Sequence, residues 1–183
     1  MTSAKSLLVM AIPTKSRTST PPSPRAALSP RRVALREPVE VRSPTLSDAG
    51  ALAELLEQLG YPCTEEQVVS RLAALPSPGQ PLVLVADLWL GTHQKVVAGL
   101  LAVELGCYFH RDARHAHVTA LVADRRYRHR GVARALITEA QGLARRAGCQ
   151  VMHLRTSRSR DDAHSFYRAL GFDETHLTFD KAL

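Results

Sequence analysis

The stretch HAHVTALVADRRYRHRGVARALITEAQGLARRAG, residues 115–148, decides how this chain reads. Its first nine residues alternate with a period of two. Ala116, Val118, Ala120 and Val122 share one apolar face, which predicts an inner strand over 115–123. From Val132 the period becomes helical, with Val132, Ala133, Leu136, Ile137, Ala140, Leu143, Ala144 and Ala147 on one side. Gly148 stands where a left-handed C-cap would end that helix. Strand, basic turn and helix therefore follow one another.

The turn holds Arg125, Arg126, Arg128 and Arg130, with Arg134 in the first helical turn, and no acid follows Asp124 until Glu139. A helix start already carries partial positive charge and unpaired N–H groups, so it favours Asp or Glu rather than arginine. A bound anion resolves the conflict. Free N–H groups, the helix dipole and flanking arginines make a phosphate site, and Gly131 leaves room for a phosphate to reach the backbone. The alternative is a solvated arginine cluster.

Working outward, a short strand is predicted over 39–42, then a helix capped by Ser47 with Ala51, Leu52, Leu55, Leu56 and Leu59 on its apolar face. Gly60-Tyr61-Pro62 breaks it. Thr64-Glu65-Glu66-Gln67 has capping-box form and opens a second helix carrying Val68, Val69 and Leu72, ended by Pro76-Ser77-Pro78-Gly79. Residues 82–87 and 95–105 read as antiparallel strands joined around Gly91. Beyond the central stretch, 151–156 suits a buried strand. Ser159 to Asp162 has capping-box form before a helix with Ala163, Phe166, Tyr167 and Leu170 on one face, ended by Gly171, and a last strand is predicted from Phe172 towards Phe179.

The 183 residues are 45% hydrophobic and suit one domain with a full core. The net charge of +7 is confined to one end. Residues 1–36 hold seven Lys/Arg and no acid, whereas 37–183 hold seventeen of each sign. That partition argues against nucleic-acid binding, as does the lack of interleaved aromatics around the arginines. Residues 1–36 are rich in Pro, Ser and Arg and are expected to form a disordered basic tail ahead of a domain at 37–183. No apolar run approaches the roughly 20 residues that span a bilayer, so no membrane partner is expected. Cys63, Cys107 and Cys149 are odd in number and far apart, which suggests neither a disulfide framework nor a metal site and suits the cytoplasm.

Arg128-His129-Arg130-Gly131-Val132-Ala133 resembles the Arg/Gln-x-x-Gly-x-Gly/Ala element of the GNAT N-acetyltransferase superfamily. About thirty residues on, Ala163-His164-Ser165-Phe166-Tyr167-Arg168-Ala169-Leu170-Gly171-Phe172 resembles that family's Ala-x-x-Phe-Tyr-x-x-x-Gly-Phe element. The resemblance covers roughly residues 38–183. It implies an α/β (α+β) fold, a single GNAT-like domain with a mixed central sheet flanked by helices, and acetyl-CoA as acetyl donor. Carried over by position, Leu121 and Ala123 would flank the pantetheine arm, while Arg128, His129, Arg130, Gly131, Val132 and Ala133 would cradle the pyrophosphate. Arg160 stands where many members have a cofactor-binding Asn. Ala133 replaces the second Gly, and Ala123 replaces a larger apolar residue. The resemblance also makes Tyr167 the general acid and admits a homodimer.

The chemistry needs a neutral amine, yet with a pKa near 10.4 only about one primary amine in two thousand is neutral at pH 7. A base is required, and Glu104, an acid amid Leu100, Leu101, Val103 and Leu105, is the first choice. His117 on the neighbouring strand could relay a proton, and His164 is expected to be merely exposed. The expected activity is transfer of an acetyl group from acetyl-CoA to a primary amine of a small molecule or protein by direct attack on the thioester. Seven acids against one base in residues 37–70 favour a cationic acceptor. A catalytically silent acyl-CoA-binding regulatory domain and, lower, a nucleic-acid-binding module are the alternatives.

Overall fold

The computed structural model describes residues 38–75, 81–91, 93–110, 112–175 and 181. The expected tail, 1–36, lies outside them, as does the Pro76–Gly79 helix stop. Five strands form one sheet in the order β1 (Val39–Arg42), β2 (Leu82–Leu90), β3 (Gln94–Cys107), β4 (Arg114–Ala123) and β5 (Cys149–Leu154). The first four pair antiparallel and β5 joins β4 in parallel, so the sheet is mixed. The parallel step needs a crossover, which α3 (Val132–Arg146) supplies.

Helices α1 (Ala49–Leu59) and α2 (Glu65–Ala74) belong to a core with Val85, Leu100 and Val122, whereas α3 belongs to a second core with Leu84, Leu88, Leu101 and Val118. Five α3 residues are buried: Val132, Leu136, Ile137, Ala140 and Ala144. At about 1.5–3 kcal/mol for each large side chain, this stripe is what pins α3 to the sheet.

One local expectation about β4 is corrected. Its register against β3 slips between Ala102 and Val103, which leaves Thr119 as an extra residue. A bulge reverses the side-chain alternation. Ala116 and Val118 pack in the α3 core, but beyond the bulge Leu121 and Ala123 join that core and Val122 turns to α1 and α2.

Three further boundaries differ from the sequence reading. The first helix begins with a 3₁₀ turn over Leu46–Asp48 capped by Thr45, not by Ser47, because the Asp48 carboxylate accepts from the Thr45 N–H and hydroxyl at 2.6 and 2.9 Å. Helix α4 (Asp161–Arg168) has Arg160 at its N-cap and no side-chain cap; the Ser159 hydroxyl bonds Ser157 instead, at 2.9 Å. β5 starts and ends two residues earlier than expected, and 172–175 is not strand, while 176–179 lies outside the described residues. The Thr64 capping box, the Gly148 turn and the Gly171 stop are as expected, with Gly148 and Gly171 at φ +79° and +82°.

Asp87, 1% exposed, accepts from Arg42 at 2.6 Å and pairs with Lys95 at 2.8 Å, and Arg42 also grips Asp48. A buried carboxylate is tolerable only with such partners. This cluster ties β1, β2 and β3 to the start of α1. It also bears on acceptor charge: Asp48 is paired with Arg42, Glu40 with Lys95 and Glu54 with Arg126. Three of the seven acids thus meet cations within the fold, which weakens the electrostatic case for a cationic acceptor.

Candidate active site

The β4–β5 ladder runs from Arg114↔Cys149 to Val118↔Leu154 and stops. From Thr119 to Ala123, β4 keeps β3 on one side and has no β5 partner on the other. The Asp124 N–H donates to Ala98 O at 2.9 Å, and antiparallel alternation then points the backbone groups of Val122 and Ala120 towards β3. Those of Leu121 and Ala123 face the open edge. An extended amide-bearing chain can add there as a strand would. Two residues past the end of β5, the Thr156 hydroxyl is buried without a hydrogen-bond partner, an orphan that a polar ligand group would satisfy.

The open edge leads into the loop before α3, where the four loop arginines divide. Arg126 is engaged: its guanidinium grips the buried Asp124 carboxylate, with a shortest contact of 2.6 Å, and reaches Glu54 at 3.1 Å. Asp124 also accepts from the Arg126 N–H at 2.8 Å, which caps a 3₁₀ turn over Arg125–Tyr127. The Arg126 guanidinium holds the Asp124 carboxyl below its ordinary range, against the opposing effect of burial. Arg125 is held by Gln58, whose Oε1 accepts its N–H at 2.9 Å. Asp124 is thus the anchor that fixes the loop to α1 rather than merely the close of a turn.

Arg128, His129 and Arg130 stand on the outside of that anchored loop, all exposed, and Arg130 lies over the Tyr127 ring at 5.9 Å. His129 and Gly131 both have positive φ, +63° and +88°. Gly131 is the N-cap of α3, gives no side-chain cap, and accepts the first helical bond from Ala135 N at 2.9 Å. The N–H groups of Val132, Ala133 and Arg134 therefore precede the helical ladder, with no acid in the first turn. A Cβ at Gly131 would meet nothing within 4 Å, so the space in front of the helix start is open. Backbone donors, the dipole and two outward arginines suit a pyrophosphate, and the neighbouring β4 edge suits a pantetheine amide chain.

Tyr167 on α4 packs edge-on against Phe166 and Phe172 at 5.3 and 5.8 Å between centroids. Burial raises its phenol above the ordinary value near 10, with the charge of Arg160 pulling the other way. The hydroxyl stays protonated at neutral pH and makes no hydrogen bond to a described residue, so it is free to donate. Glu104 on β3 lies 61% exposed and 4.0 Å from the Nδ1 of His117. Glu104 and Tyr167 do not contact one another. His164 is not merely exposed: its Nε2 lies 2.9 Å from Ser157 O. Sequence reading overlooked His153 on β5, whose ring stacks on that of His117 at 4.7 Å. The signal available was a histidine inside a short apolar strand. Among the described residues no cluster of His, Cys, Asp or Glu could hold a metal ion, and no helix is long and apolar enough to cross a membrane.

Comparisons with known proteins show the same fold. An aminoalkylphosphonate N-acetyltransferase of Salmonella typhimurium (strain LT2) is 30% identical over 87 residues, 48% of this chain and 56% of the relative, so the match spans about half of that protein. A Trypanosoma brucei acetyltransferase superposes with a TM-score of 0.66 at 23% identity, covering 80% of this chain and 100% of that one. An aminoglycoside N-acetyltransferase solved in complex with CoA superposes with a TM-score of 0.67 at 19% identity, covering 85% of this chain and 99% of that one. At these identities the superpositions establish the fold. The sequence pattern that matches residues 53–172 runs from α1 through the open β4 edge and the anchored loop to Phe172, and on that match the chain belongs to the Acetyltransferase (GNAT) family.

Proposed function

We propose that the protein transfers the acetyl group of acetyl-CoA to a primary amine by direct attack on the thioester. The observation that carries this reading is the β4 edge at Leu121 and Ala123 opening onto the uncapped start of α3 at Gly131. Leu121 and Ala123 would hold the pantetheine amides. Arg128, His129, Arg130 and the N–H groups from Gly131 to Ala133 would hold the pyrophosphate, and Arg160 would add a further cation. Acetyl-CoA supplies the activated acyl group. A backbone N–H at the end of β4 would stabilise the charge that develops on the thioester oxygen. The amine lone pair forms the new C–N bond as the C–S bond breaks, and Tyr167 gives its phenolic proton to the departing sulfur. Glu104 would take up the proton that the amine must lose.

GNAT acetyltransferases act with acetyl-CoA, and the relatives above are named for amine substrates, an aminoalkylphosphonate and aminoglycosides. We extend to this chain only the shared chemistry, a primary amine on a small molecule. The ion pairs of Glu40, Asp48 and Glu54 supply no reason to restrict the acceptor to cations. Free thiols at Cys63, Cys107 and Cys149 suit a reducing compartment such as the cytoplasm.

Thiol release from acetyl-CoA, followed across a panel of amines that includes an aminoalkylphosphonate and an aminoglycoside, tests the reading. Amine-dependent release is expected. Acetyl-CoA binding by calorimetry with no release from any amine would instead favour the silent acyl-CoA-binding domain, and failure to bind acetyl-CoA at all would remove both.

A further inference from the structure

A row of rings lies on the face of β3, β4 and β5 that carries Glu104. Tyr108 and His115 are 4.4 Å apart between centroids, His115 and His153 5.2 Å, and His153 and His117 4.7 Å with their planes 18° apart. His110 flanks Tyr108 at 5.3 Å. At the other end, Glu104 Oε2 lies 4.0 Å from His117 Nδ1. The row is built in: Gly106 lies beneath His115, where a Cβ would come within 2.7 Å of the imidazole. His115 Nδ1 is buried without a hydrogen-bond partner, a nitrogen that structural packing alone does not explain.

His117 precedes Val118, the last β4 residue paired with β5, so the row ends where the β4 edge opens. The near-parallel stack of His153 on His117 fixes the plane of that ring, while the His117 side chain keeps 23% of its surface exposed, which suits proton exchange rather than packing of an apolar ligand. The nitrogens and nearby acids do not converge into a metal site among the described residues.

We propose that His117 is the proton acceptor of the acceptor side, receiving the ammonium proton on Nε2, with Glu104 and His153 holding its ring. The inference rests on the acetyl-transfer reading. A carboxylate beside Nδ1 favours the Nδ1–H tautomer and leaves the Nε2 lone pair free. One N–H bond of the ammonium breaks, its electron pair stays on nitrogen, and the proton forms an imidazolium that faces Glu104. The amine then attacks. Its second N–H proton, lost as the amide forms, balances the one Tyr167 gives to sulfur, so one net proton leaves through His117. Glu104 becomes a positioning residue rather than the base.

The test compares kcat/KM for the amine turned over best in the panel across pH 5.5–9.5 in the unaltered chain, His117→Gln and Glu104→Gln. The acceptor's own ionisation cancels in the ratio of unaltered to variant. For His117→Gln that ratio is expected to rise with pH, because only a neutral imidazole accepts a proton, and to reach about 10²-fold, with melting temperature and acetyl-CoA affinity unchanged. Glu104→Gln, an exposed change, should lower kcat/KM by less than His117→Gln does, because the ring loses only a carboxylate that orients it. Added imidazole should restore activity to His117→Ala. A His117→Gln profile parallel to the unaltered one, or His117→Ala unresponsive to imidazole, overturns this inference alone. No thiol release by the unaltered chain overturns the acetyl-transfer reading and this inference with it.

Discussion

Gly99 offers a direct test of how packing positions the site. It pairs with Ala123 in the β3–β4 ladder and lies beneath the first turn of α3, where an added Cβ would stand 2.5 Å from Val132 Cγ1 and 3.0 Å from Leu136 Cδ1. Carbon atoms pack at about 3.5–4.0 Å, so Gly99→Ala demands roughly 1 Å of relief at Val132. Neither neighbour has slack: Val132 is 2% exposed, Leu136 is fully buried, and a helical valine has essentially one rotamer. The helix start must therefore lift. Overpacking of this kind costs about 1–3 kcal/mol, which lowers the melting temperature by about 3–10 °C in a body of this size. Because the same lift separates the Gly131 loop from the Ala123 edge, acetyl-CoA affinity should fall with stability, and a 1 Å misplacement can reduce kcat/KM by about 10²-fold. Thermal unfolding, acetyl-CoA calorimetry and thiol-release kinetics report the three effects. Val132→Ala on the Gly99→Ala background removes the clashing methyl and should recover part of each loss, a coupling readable from a double-mutant cycle. Unchanged stability in Gly99→Ala, or strict additivity in the cycle, would refute the reasoning.

Tyr167→Phe removes a hydroxyl that has no described hydrogen-bond partner. It should keep the melting temperature within about 1 kcal/mol of stability while lowering kcat by about 10²–10⁴-fold, with acetyl-CoA affinity little changed. Gly131→Glu places a side chain and a negative charge at the helix start and should abolish acetyl-CoA binding. Gly131→Ala adds only the strain of φ +88°, about 1–2 kcal/mol, and calorimetry on the pair separates charge from strain. Hydrogen bonding to Arg42 lowers the Asp48 carboxyl to about 2 from its ordinary 3.8. Its contribution, on the order of 2 kcal/mol, is therefore full above about pH 4 and lost as pH falls through about 2, and Asp48→Asn should flatten that part of the acid-unfolding curve. A chain beginning at residue 37 should keep its melting temperature and acetyl-CoA affinity, since residues 1–36 are too rich in Pro, Ser and Arg to add to a core and carry the whole net charge.

The local elements were legible because their signals are local. Gly148 and Gly171 announce their backbone conformations by composition, the Thr64 box by spacing, and the α3 stripe by its 3.6-residue period. The two family elements around Gly131 and Tyr167 carried the rest. Side-chain pairing was not legible. The arginines of the loop look alike in the sequence, and only the approach of α1 decides that Arg125 is held by Gln58 and Arg126 by Glu54 and Asp124. Three of the seven acids of 37–70, Asp48, Glu40 and Glu54, are held by Arg42, Lys95 and Arg126 from near and far in the chain, which their spacing does not reveal.

By itself, then, the sequence determined most of the helices and strands and marked the loop before α3 as the candidate for an anion, because dihedral preference and hydrophobic period are properties of neighbouring residues. Only the tertiary structure decided which charges neutralise one another, that the bulge at Thr119 turns Leu121 and Ala123 to the α3 side, and that His117, His153 and His115 stand in a row. Each of those depends on strand register, and register is set by the packing of residues far apart in the chain.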